Sequence, residues 1–231
     1  MHHPLDRPVW NALTTRQAYL AQGDARALRI DPDHGPFGAP ADHMPENLVA
    51  LAGLVPAGGE LWCVDAASTP PPPGTQIARS AVLTQMVAPS ISAIRPAVDA
   101  LVLTDADAPE MQALAHLTRP GPFLGSTHRL GRFIGIRDAH GMLVAMAGER
   151  MRLDGFTEVS GVCTHPDHRG RGLAAALIHQ VASAMLDRGE TPFLHSYADN
   201  AAAISLYEAL GFRARAAMNL AILVRTADTP G

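Results

Sequence analysis

The sequence predicts an α/β fold in which a smaller N-terminal α/β lobe precedes the main domain. After about residue 95, strand-like runs alternate with runs of helical periodicity, such as the apolar residues that recur every four positions between 173 and 185. An Asp154-Gly155 pair between two apolar runs predicts a tight hairpin. The four prolines of STPPPPGT (68–75) fit neither a sheet nor a helix interior, and so predict an exposed connecting loop in the N-terminal region.

Composition excludes several classes of function. The 231 residues carry a net charge of -4, which is not the basic footprint of a nucleic-acid-binding domain. No apolar run reaches the ~18 residues of a membrane span, and the N-terminus lacks the pattern of a signal peptide. With only two cysteines, we expect a cytoplasmic protein without a disulfide framework. The sequence contains no lysine, so it offers no Walker-type phosphate loop and no Schiff base.

Residues 1–95 predict a lobe whose role the sequence does not reveal. A helix is expected near Trp10–Leu20 and another over ENLVALAGLV (46–55), with the turn-rich stretch DPDHGPFGAP (31–40) between them. A short strand is expected at ELWCVD (60–65). No internal repeat and no motif is visible in this region.

Residues 96–231 predict a larger domain. ALVLT (100–104) is strand-like and leads into a helix over 107–117, with Asp107 as its N-cap. The later elements are expected to be strands at 132–138, 142–153, 156–164 and 193–198, helices at 170–188 and 200–211, and one or two final strands over 212–224. The first strands of this set follow one another as antiparallel hairpins rather than as successive βαβ units.

A glycine-rich turn stands between one of these strands and its helix, where residues 162–174 read VCTHPDHRGRGLA. Glycine weakens a helix interior by about 1 kcal/mol, so its use here needs a reason. The first N–H groups of a helix lack internal partners and, with the helix dipole, form an anion site. Gly170 and Gly172 would let a phosphate approach the backbone, and Arg169 and Arg171 would add charge-assisted contacts. The turn therefore predicts a phosphate site, although incidental glycines at a surface helix are the alternative.

Two ligands fit such a turn. GRGLAA (170–175) matches the dinucleotide fingerprint G-x-G-x-x-A. That fingerprint normally follows its strand at once, whereas HPDHR (165–169) intervenes here, and the preceding hairpins do not suit a dinucleotide fold. Dinucleotide binding is therefore the second choice.

HPDHRGRGLAAAL (165–177) resembles the cofactor motif R/Q-x-x-G-x-G/A of the GNAT superfamily of N-acetyltransferases, with Arg169, Gly172 and Ala174 on its defined positions. NAAAISLYEALGF (200–212) resembles the later superfamily pattern N-x-x-A-x-x-x-Y-x-x-x-G-F. Two motifs in this order, with a strand between them, are together specific. The resemblance is sharp over 156–212, extends loosely back to about residue 94 and does not cover the first ninety-odd residues.

The resemblance implies a mixed sheet in which two parallel strands, FTEVSGVCT and FLHSYA, splay apart to admit acetyl-CoA. The pantetheine would pair with the backbone of 162–164, and the pyrophosphate would lie on the amides of 169–174. The residues assigned in this way to acetyl-CoA are Val162, Cys163, Thr164, Arg169, Gly170, Arg171, Gly172, Leu173, Ala174, Asn200, Ala203 and Tyr207. Tyr207 would also protonate the departing thiolate, with packing in the core as the alternative. Asn200 would equally serve as a helix N-cap.

An amine acceptor must also lose a proton, and three residues are candidate bases. If Asp154-Gly155 forms a two-residue turn, Met151 opposes Glu158, and Glu149 becomes a diagonal neighbour of Glu158 on one sheet face. Two such carboxylates would raise each other's pKa, which suits a base near neutral pH. The alternative places both on a solvated face. His195 is the third candidate, with a buried structural histidine as its alternative.

The remaining histidines and cysteines give weaker indications of a functional role. His165 and His168 flank Pro166-Asp167, but no third ligand is evident and we expect no metal. Cys163 lacks a recognisable base partner, so it is interpreted as a small apolar residue.

The function that follows is transfer of an acetyl group from acetyl-CoA to an amine. The alternative is a non-catalytic module that binds or senses acyl-CoA. The acceptor is a small-molecule or peptide amine that the sequence does not identify, and its specificity is expected in 118–131 and in the N-terminal lobe. We expect neither nucleic acid nor membrane as a partner, and the oligomeric state stays open, a homodimer included.

Overall fold

The computed structural model describes residues 3–92 and 98–226. The α-helices are α1 (Pro8–Thr14), α2 (Pro45–Leu54), α3 (Ala108–Thr118), α4 (Leu173–Asp187) and α5 (Ala201–Ala209). The strands are β1 (Ala21–Asp24), β2 (Ala27–Ile30), β3 (Gly38–Pro40), β4 (Leu61–Asp65), β5 (Thr75–Val87), β6 (Leu101–Val102), β7 (Phe133–Arg137), β8 (Leu143–Leu153), β9 (Phe156–Thr164), β10 (Thr191–Tyr197) and β11 (Arg213–Arg225).

Eight strands form one mixed sheet in the order β4-β11-β5-β10-β9-β8-β7-β6. Every neighbouring pair is antiparallel except β9 and β10, which are parallel. A second, three-stranded antiparallel sheet contains β1, β2 and β3. This architecture confirms the predicted α/β class with a mixed sheet.

The parallel pair separates along its length. Strand β10 pairs with β9 only where Thr191–Phe193 face Phe156–Glu158, although both strands continue beyond that point. The predicted splay between these two strands is therefore confirmed, and it leaves a gap beside the C-terminal half of β9.

The N-terminal region supplies two strands to the main sheet. Strand β5 lies between β10 and β11, and β4 forms the edge beyond β11. The proline-rich loop joins these two strands, as expected. The predicted boundary between a 1–95 lobe and a 96–231 domain falls within 93–97, outside the described residues, so the division stays a prediction.

The sheet has two covered faces. Helix α4 packs its Leu177 and Val181 against one face, where Leu194 of β10 is buried. The preceding residue, Phe193, points to the opposite face, where it packs with Leu5 of the N-terminal segment. We call these the α4 face and the N-terminal face. Alternation along each strand assigns successive side chains to one face or the other.

Two helices are shorter than their sequence predicts. The first ends at Thr14 rather than near Leu20, since the hydroxyls of Thr14 and Thr15 donate to carbonyls of the preceding turn and favour helix ends. Helix α4 begins at Leu173 rather than Gly170, because Gly170 and Gly172 both have a φ of 74°. None of the helices in the ranges 3–92 and 98–226 combines the length and apolar character needed to cross a membrane.

Candidate active site

A cleft of about 720 Å³ lies where β9 and β10 separate. It reaches both faces of the sheet, since Leu206 of α5 belongs to the packing on the α4 face and Leu83 of β5 to that on the N-terminal face. The residues predicted to hold acetyl-CoA that line it are Val162, Cys163, Thr164, Arg169, Ala174, Asn200, Ala203 and Tyr207. The two sequence motifs therefore meet in one cleft, although they are about thirty residues apart.

The glycine-rich turn closes one end of the cleft. Gly172 is the N-cap of α4 and provides no side chain to the first helical amides. A Cβ added to Gly170 or Gly172 would meet no protein atom within 4 Å, so the space beside this backbone is open. Arg169 and Ala174, at the two ends of the turn, line the cleft. This arrangement fits a phosphate group received by backbone amides.

The other predicted residues of the turn lie at its surface or in the core. Arg171 is exposed, and its Nη1 lies 3.5 Å from Nδ1 of His168. Leu173 packs against the core on the α4 face. Neither side chain lines the cleft, so their contribution to a ligand would come from their backbone amides.

Gly161, next to the cleft-lining Val162, is a special backbone position that the sequence reasoning missed. Its φ of 63° and a one-residue shift in the β8–β9 register mark a β-bulge, which redirects the backbone just before 162–164. A Cβ at Gly161 would lie 2.7 Å from the ring of Phe133, so glycine also fits sterically. A lone glycine inside an apolar strand is the signal that could have predicted this bulge.

Thr164 provides a second feature that fits a ligand in this cleft. Its hydroxyl is buried and has no hydrogen-bond partner among the residues described, yet the residue lines the cleft. Buried polar atoms are nearly always paired in folded proteins. A ligand that lies along the end of β9 would satisfy this hydroxyl.

Helix α5 brings Asn200 and Tyr207 to the cleft. The side-chain oxygen of Asn200 accepts a hydrogen bond of 3.2 Å from the amide of Ala203, which confirms its N-cap position. Tyr207 is half-buried, and its ring packs edge-on against Phe212 at 6.1 Å. Burial raises the pKa of Tyr207 above its ordinary value of 10.0, so the phenol is protonated at neutral pH.

The predicted pairing of the β8–β9 hairpin is only partly right. Leu153 pairs with Phe156, as expected for a two-residue turn. A bulge between Glu149 and Arg152 then shifts the register by one residue, so that Glu149 pairs with Val159. A one-residue slip exchanges faces, and therefore the expectation that Glu149 and Glu158 share a face is wrong.

The two glutamates have separate partners. Glu149 accepts a hydrogen bond of 2.8 Å from Arg188, which follows α4. Its side chain lies against Gly131, where an added Cβ would be 2.4 Å from the Cβ of Glu149. Glu158 accepts two hydrogen bonds of 2.8 Å from Arg150 on the N-terminal face. Neither glutamate lines the cleft, and Glu158 has no exposed surface.

The environment of Glu158 keeps it ionised. Burial acts to raise its pKa, but the positive charge of Arg150, with hydrogen bonds from Arg150 and His195, outweighs burial and holds the pKa at about 2. The predicted rise of the Glu158 pKa towards neutrality is therefore wrong. The low pKa is caused by the guanidinium of Arg150, which the expected register would have placed on the other face of the sheet.

His195 is the predicted base that lines the cleft. Its Nδ1 lies 2.8 Å from Oε1 of Glu158, and its Nε2 lies 3.0 Å from the amide nitrogen of Gln85. The amide oxygen of Gln85 accepts from Arg215, so the nitrogen is the donor to His195. In this arrangement Nε2 of His195 accepts from Gln85, and Nδ1 donates to Glu158.

The remaining reactive residue types show no sign of a catalytic role. Burial raises the pKa of Cys163 to about 11, although a hydrogen bond with Thr118 opposes the rise, which suits a packing residue. Nδ1 of His165 accepts from the amide of Asp167 in the turn. Within 3–92 and 98–226, no three residues of His, Cys, Asp or Glu gather into a metal site.

Acceptor specificity was expected in 118–131 and in the N-terminal lobe, but the sequence reasoning did not name the individual residues on the N-terminal side of the cleft. Residues from β4, β5 and the segment before β3 line it, together with the loop after α3. The set is Phe37, Trp62, Val64, Arg79, Leu83, Thr118, Arg119, Pro120, Gly121 and Pro122. No local pattern identifies those on β4 and β5, because the order of strands in the sheet brings them to the site.

Comparison with known proteins identifies the family. The sequence model of the family described as FR47-like protein matches residues 133–220. No curated protein matches the chain in sequence. A GCN5-related N-acetyltransferase from Kribbella flavida, 19% identical, aligns over 94% of this chain and 92% of its own with a TM-score of 0.61, which shows a shared fold.

A closer relationship is found with a crystal structure from Novosphingobium aromaticivorans DSM 12444, described as belonging to the GNAT family of acetyltransferases. The two chains are 48% identical, and their structures agree with a TM-score of 0.91 over 98% of this chain and 100% of the other. With this identity over nearly the whole length, and with both motifs in the cleft, the chain belongs to the GNAT family and is an acetyltransferase of that kind.

Proposed function

We propose that the enzyme transfers an acetyl group from acetyl-CoA directly to the amine of an acceptor. The observation that carries this proposal is the cleft through the splayed strands, which opens on both faces of the sheet. The glycine-rich turn, on the side of α4, suits the cofactor. The N-terminal face leaves room for an acceptor, so the two substrates would meet between β9 and β10.

The residues of the turn fit the phosphates of acetyl-CoA. Open space at Gly170 and Gly172 and the unpaired hydroxyl of Thr164 are the features expected where a ligand completes the site. No aspartate or glutamate of the described residues lines the cleft, so no fixed negative charge opposes the phosphates. Acetyl-CoA, when bound, supplies the acetyl group as a reactive thioester.

Tyr207 is proposed as the general acid. The acceptor nitrogen forms a bond to the acetyl carbon, the carbon–sulfur bond breaks and the sulfur takes a proton. Tyr207 lines the cleft and is protonated at neutral pH, since burial raises its pKa. It can therefore donate that proton from its phenol oxygen.

His195 is the best placed of the three candidate bases, because Glu149 and Glu158 do not reach the cleft. Glu158 holds Nδ1 and would stabilise the imidazolium that forms when Nε2 receives the amine proton. That step requires Nε2 to exchange its hydrogen bond with Gln85 for one with the amine. The role of Glu158 is then to position and charge-balance the histidine rather than to take the proton.

Release of free CoA from acetyl-CoA, measured as thiol with a broad panel of amines, tests the proposal. We expect release that depends on one class of amine and that rises with enzyme concentration. Acetyl-CoA and CoA should raise the melting temperature, because they bind the folded state, whereas NAD and ATP should raise it far less. A thermal shift without amine-dependent release would instead identify a binding module, and an NAD shift equal to that of CoA would contradict both readings.

A further inference from the structure

Two arginines stand at the N-terminal side of the cleft, each against an aromatic ring. The guanidinium carbon of Arg150 lies 4.7 Å from the ring centre of Phe37, and that of Arg79 lies 5.4 Å from the ring centre of Trp62. The two rings contact each other edge-on at 6.2 Å. All four residues line the cleft, so they form one surface, here called the arginine–aromatic wall.

The wall leaves hydrogen-bonding edges of both guanidiniums open. Arg150 uses Nε and Nη2 for Glu158, while its Nη1 has no hydrogen-bond partner among the described residues. No carboxylate of the described residues lies within 4.0 Å of the Arg79 guanidinium. The carboxylate of Glu60 accepts a hydrogen bond from the indole of Trp62. An aromatic face holds a guanidinium in place without neutralising its charge, so Arg79 keeps its full positive charge and its N–H groups for an anion. Arg150 is already paired with Glu158 and offers only the N–H groups of Nη1.

This positive charge is separate from the charge at the cofactor end. Arg169 contacts the carbonyl of Thr164 at 3.4 Å, whereas Arg150 binds Glu158, six residues earlier in β9. Six residues of strand span at most roughly 20 Å, so the wall and the phosphate turn lie towards different ends of the cleft. The wall also lies on the N-terminal face, opposite α4.

We propose that the acceptor is a small amine that carries a carboxylate, and that Arg79 and Arg150 bind this carboxylate. This inference rests on the proposed acetyl transfer and names the class of its second substrate. A guanidinium and a carboxylate match in planar, two-point geometry. An amine without an anion would bring only positive charge to a cleft whose described charged side chains are arginines. The cleft of about 720 Å³ has room for such an acceptor beside the reactive end of the cofactor.

Matched pairs of compounds test the inference, namely glycine against glycinamide and L-phenylalanine against L-phenylalaninamide, with acetyl-CoA. The carboxylic acids should show kcat/KM at least 10-fold above their amides. Amine basicity cannot produce this preference, because the amides have the less basic amines and are more readily deprotonated. Phosphoethanolamine against ethanolamine distinguishes a phosphate anion, and a stronger preference for the phosphate would overturn the carboxylate assignment.

The variant Arg79→Gln tests the wall without disturbing the fold, since Arg79 is exposed and forms no ion pair with the residues described. It should raise KM for the acids about 10-fold or more, leave the amides nearly unchanged and so bring the acid-to-amide ratio close to 1. Calorimetric titration of the amino acid into the CoA-bound protein should show the same loss of affinity. Arg213→Gln, at an exposed arginine outside the cleft, should leave ratio and affinity as in the wild type.

The outcomes separate this inference from the proposed function. Amides that react as well as acids, or a ratio that Arg79→Gln does not change, would overturn the carboxylate-binding wall while acetyl transfer stands. Absence of CoA release with every amine would overturn acetyl transfer and the wall together.

Discussion

Oε1 of Glu158 lies 2.8 Å from Nδ1 of His195, and both side chains are almost completely buried, with 0% and 4% exposure. A histidine that donates from Nδ1 to a carboxylate keeps its Nε2 lone pair directed the other way. Only the histidine of this pair lines the cleft, and its hydrogen bond with the carboxylate fixes the orientation of the imidazole.

The first prediction separates the roles of these two residues. His195→Ala should lower kcat about 10²-fold and remove the acidic limb of the rate-against-pH profile, because the group that takes the amine proton is lost. Glu158→Gln should lower kcat by a smaller factor and retain an acidic limb. The pH dependence of kcat/KM for both variants is the measurement. An unchanged acidic limb in His195→Ala would exclude His195 as the base.

Glu149→Gln serves as the comparison for this prediction. Glu149 binds Arg188 on the α4 face and does not line the cleft, so its loss should lower the melting temperature more than the rate. Loss of the acidic limb in Glu149→Gln would show that this limb belongs to Glu149.

The second prediction concerns stability at low pH. The pKa of Glu158 is about 2 in the folded protein against an ordinary value of 4.5, so the unfolded chain binds the proton more readily. Its stabilisation is therefore fully present above about pH 4.5 and is lost as the pH falls towards 2. Urea midpoints between pH 6 and pH 3 should fall in the wild type.

The same midpoints should fall less steeply with pH in Glu158→Gln, which has no carboxyl to protonate at this position. That variant should be less stable at pH 7 by about 3–5 kcal/mol, since Arg150 loses its buried counter-ion. Equal slopes in variant and wild type would mean that other carboxyl groups, such as Glu190, govern acid unfolding.

The glycine-rich turn beside the cleft was accessible to sequence reasoning because it is local, while its assignment to a phosphate stays a prediction. A helix start, two glycines and the flanking arginines lie within six residues, and the chemistry of unpaired amides applies wherever such a turn occurs. Asn200 and Tyr207 were accessible for the same reason, since their motif is one helix with its cap.

The individual residues on the N-terminal side of the cleft were inaccessible because their positions depend on register and on distant pairing, although acceptor specificity was expected in 118–131 and in the N-terminal lobe. One extra residue in β8 moved Glu149 away from Glu158 and put Arg150 beside it. The wall residues Phe37, Trp62 and Arg79 come from three segments that only the sheet order brings together. Periodicity shows which residues are buried, but it does not show which strand lies next to which.

The third prediction tests the phosphate turn with a matched glycine. Gly172 and Gly189 stand at opposite ends of α4, both with a φ of 74° and open space around an added Cβ. Valine at either position introduces similar backbone strain, roughly 1–2 kcal/mol. The two variants should therefore lose similar melting temperature without ligand.

Only Gly172→Val should lose most of the thermal shift that CoA produces, because its side chain occupies the space beside the helical amides. Gly189→Val should retain that shift, since this glycine is outside the cleft. If both variants keep the full CoA shift, the pyrophosphate does not lie on this turn.

The last prediction concerns Tyr207 as the general acid. A thiol has a pKa of about 8.5 and is already a fair leaving group, so its protonation should matter less than amine activation. Tyr207→Phe should therefore lower kcat about 10- to 10³-fold at saturating acetyl-CoA. Stability and CoA affinity should change little, because the phenyl ring can keep its edge-on contact with Phe212. Burial raises the Tyr207 pKa above 10.0, so the pH profile below pH 10 should keep its shape in this variant.

Tyr207→Ala separates packing from chemistry. It should lower kcat at least as far as Tyr207→Phe and should also destabilise the protein by up to about 3 kcal/mol, through the cavity beside Phe212. The comparison that decides is Tyr207→Phe against wild type, with single-turnover rates to ensure that the chemical step is observed. Equal rates there, together with a destabilised alanine variant, would reduce Tyr207 to a packing residue, and the thiolate would then take its proton from water.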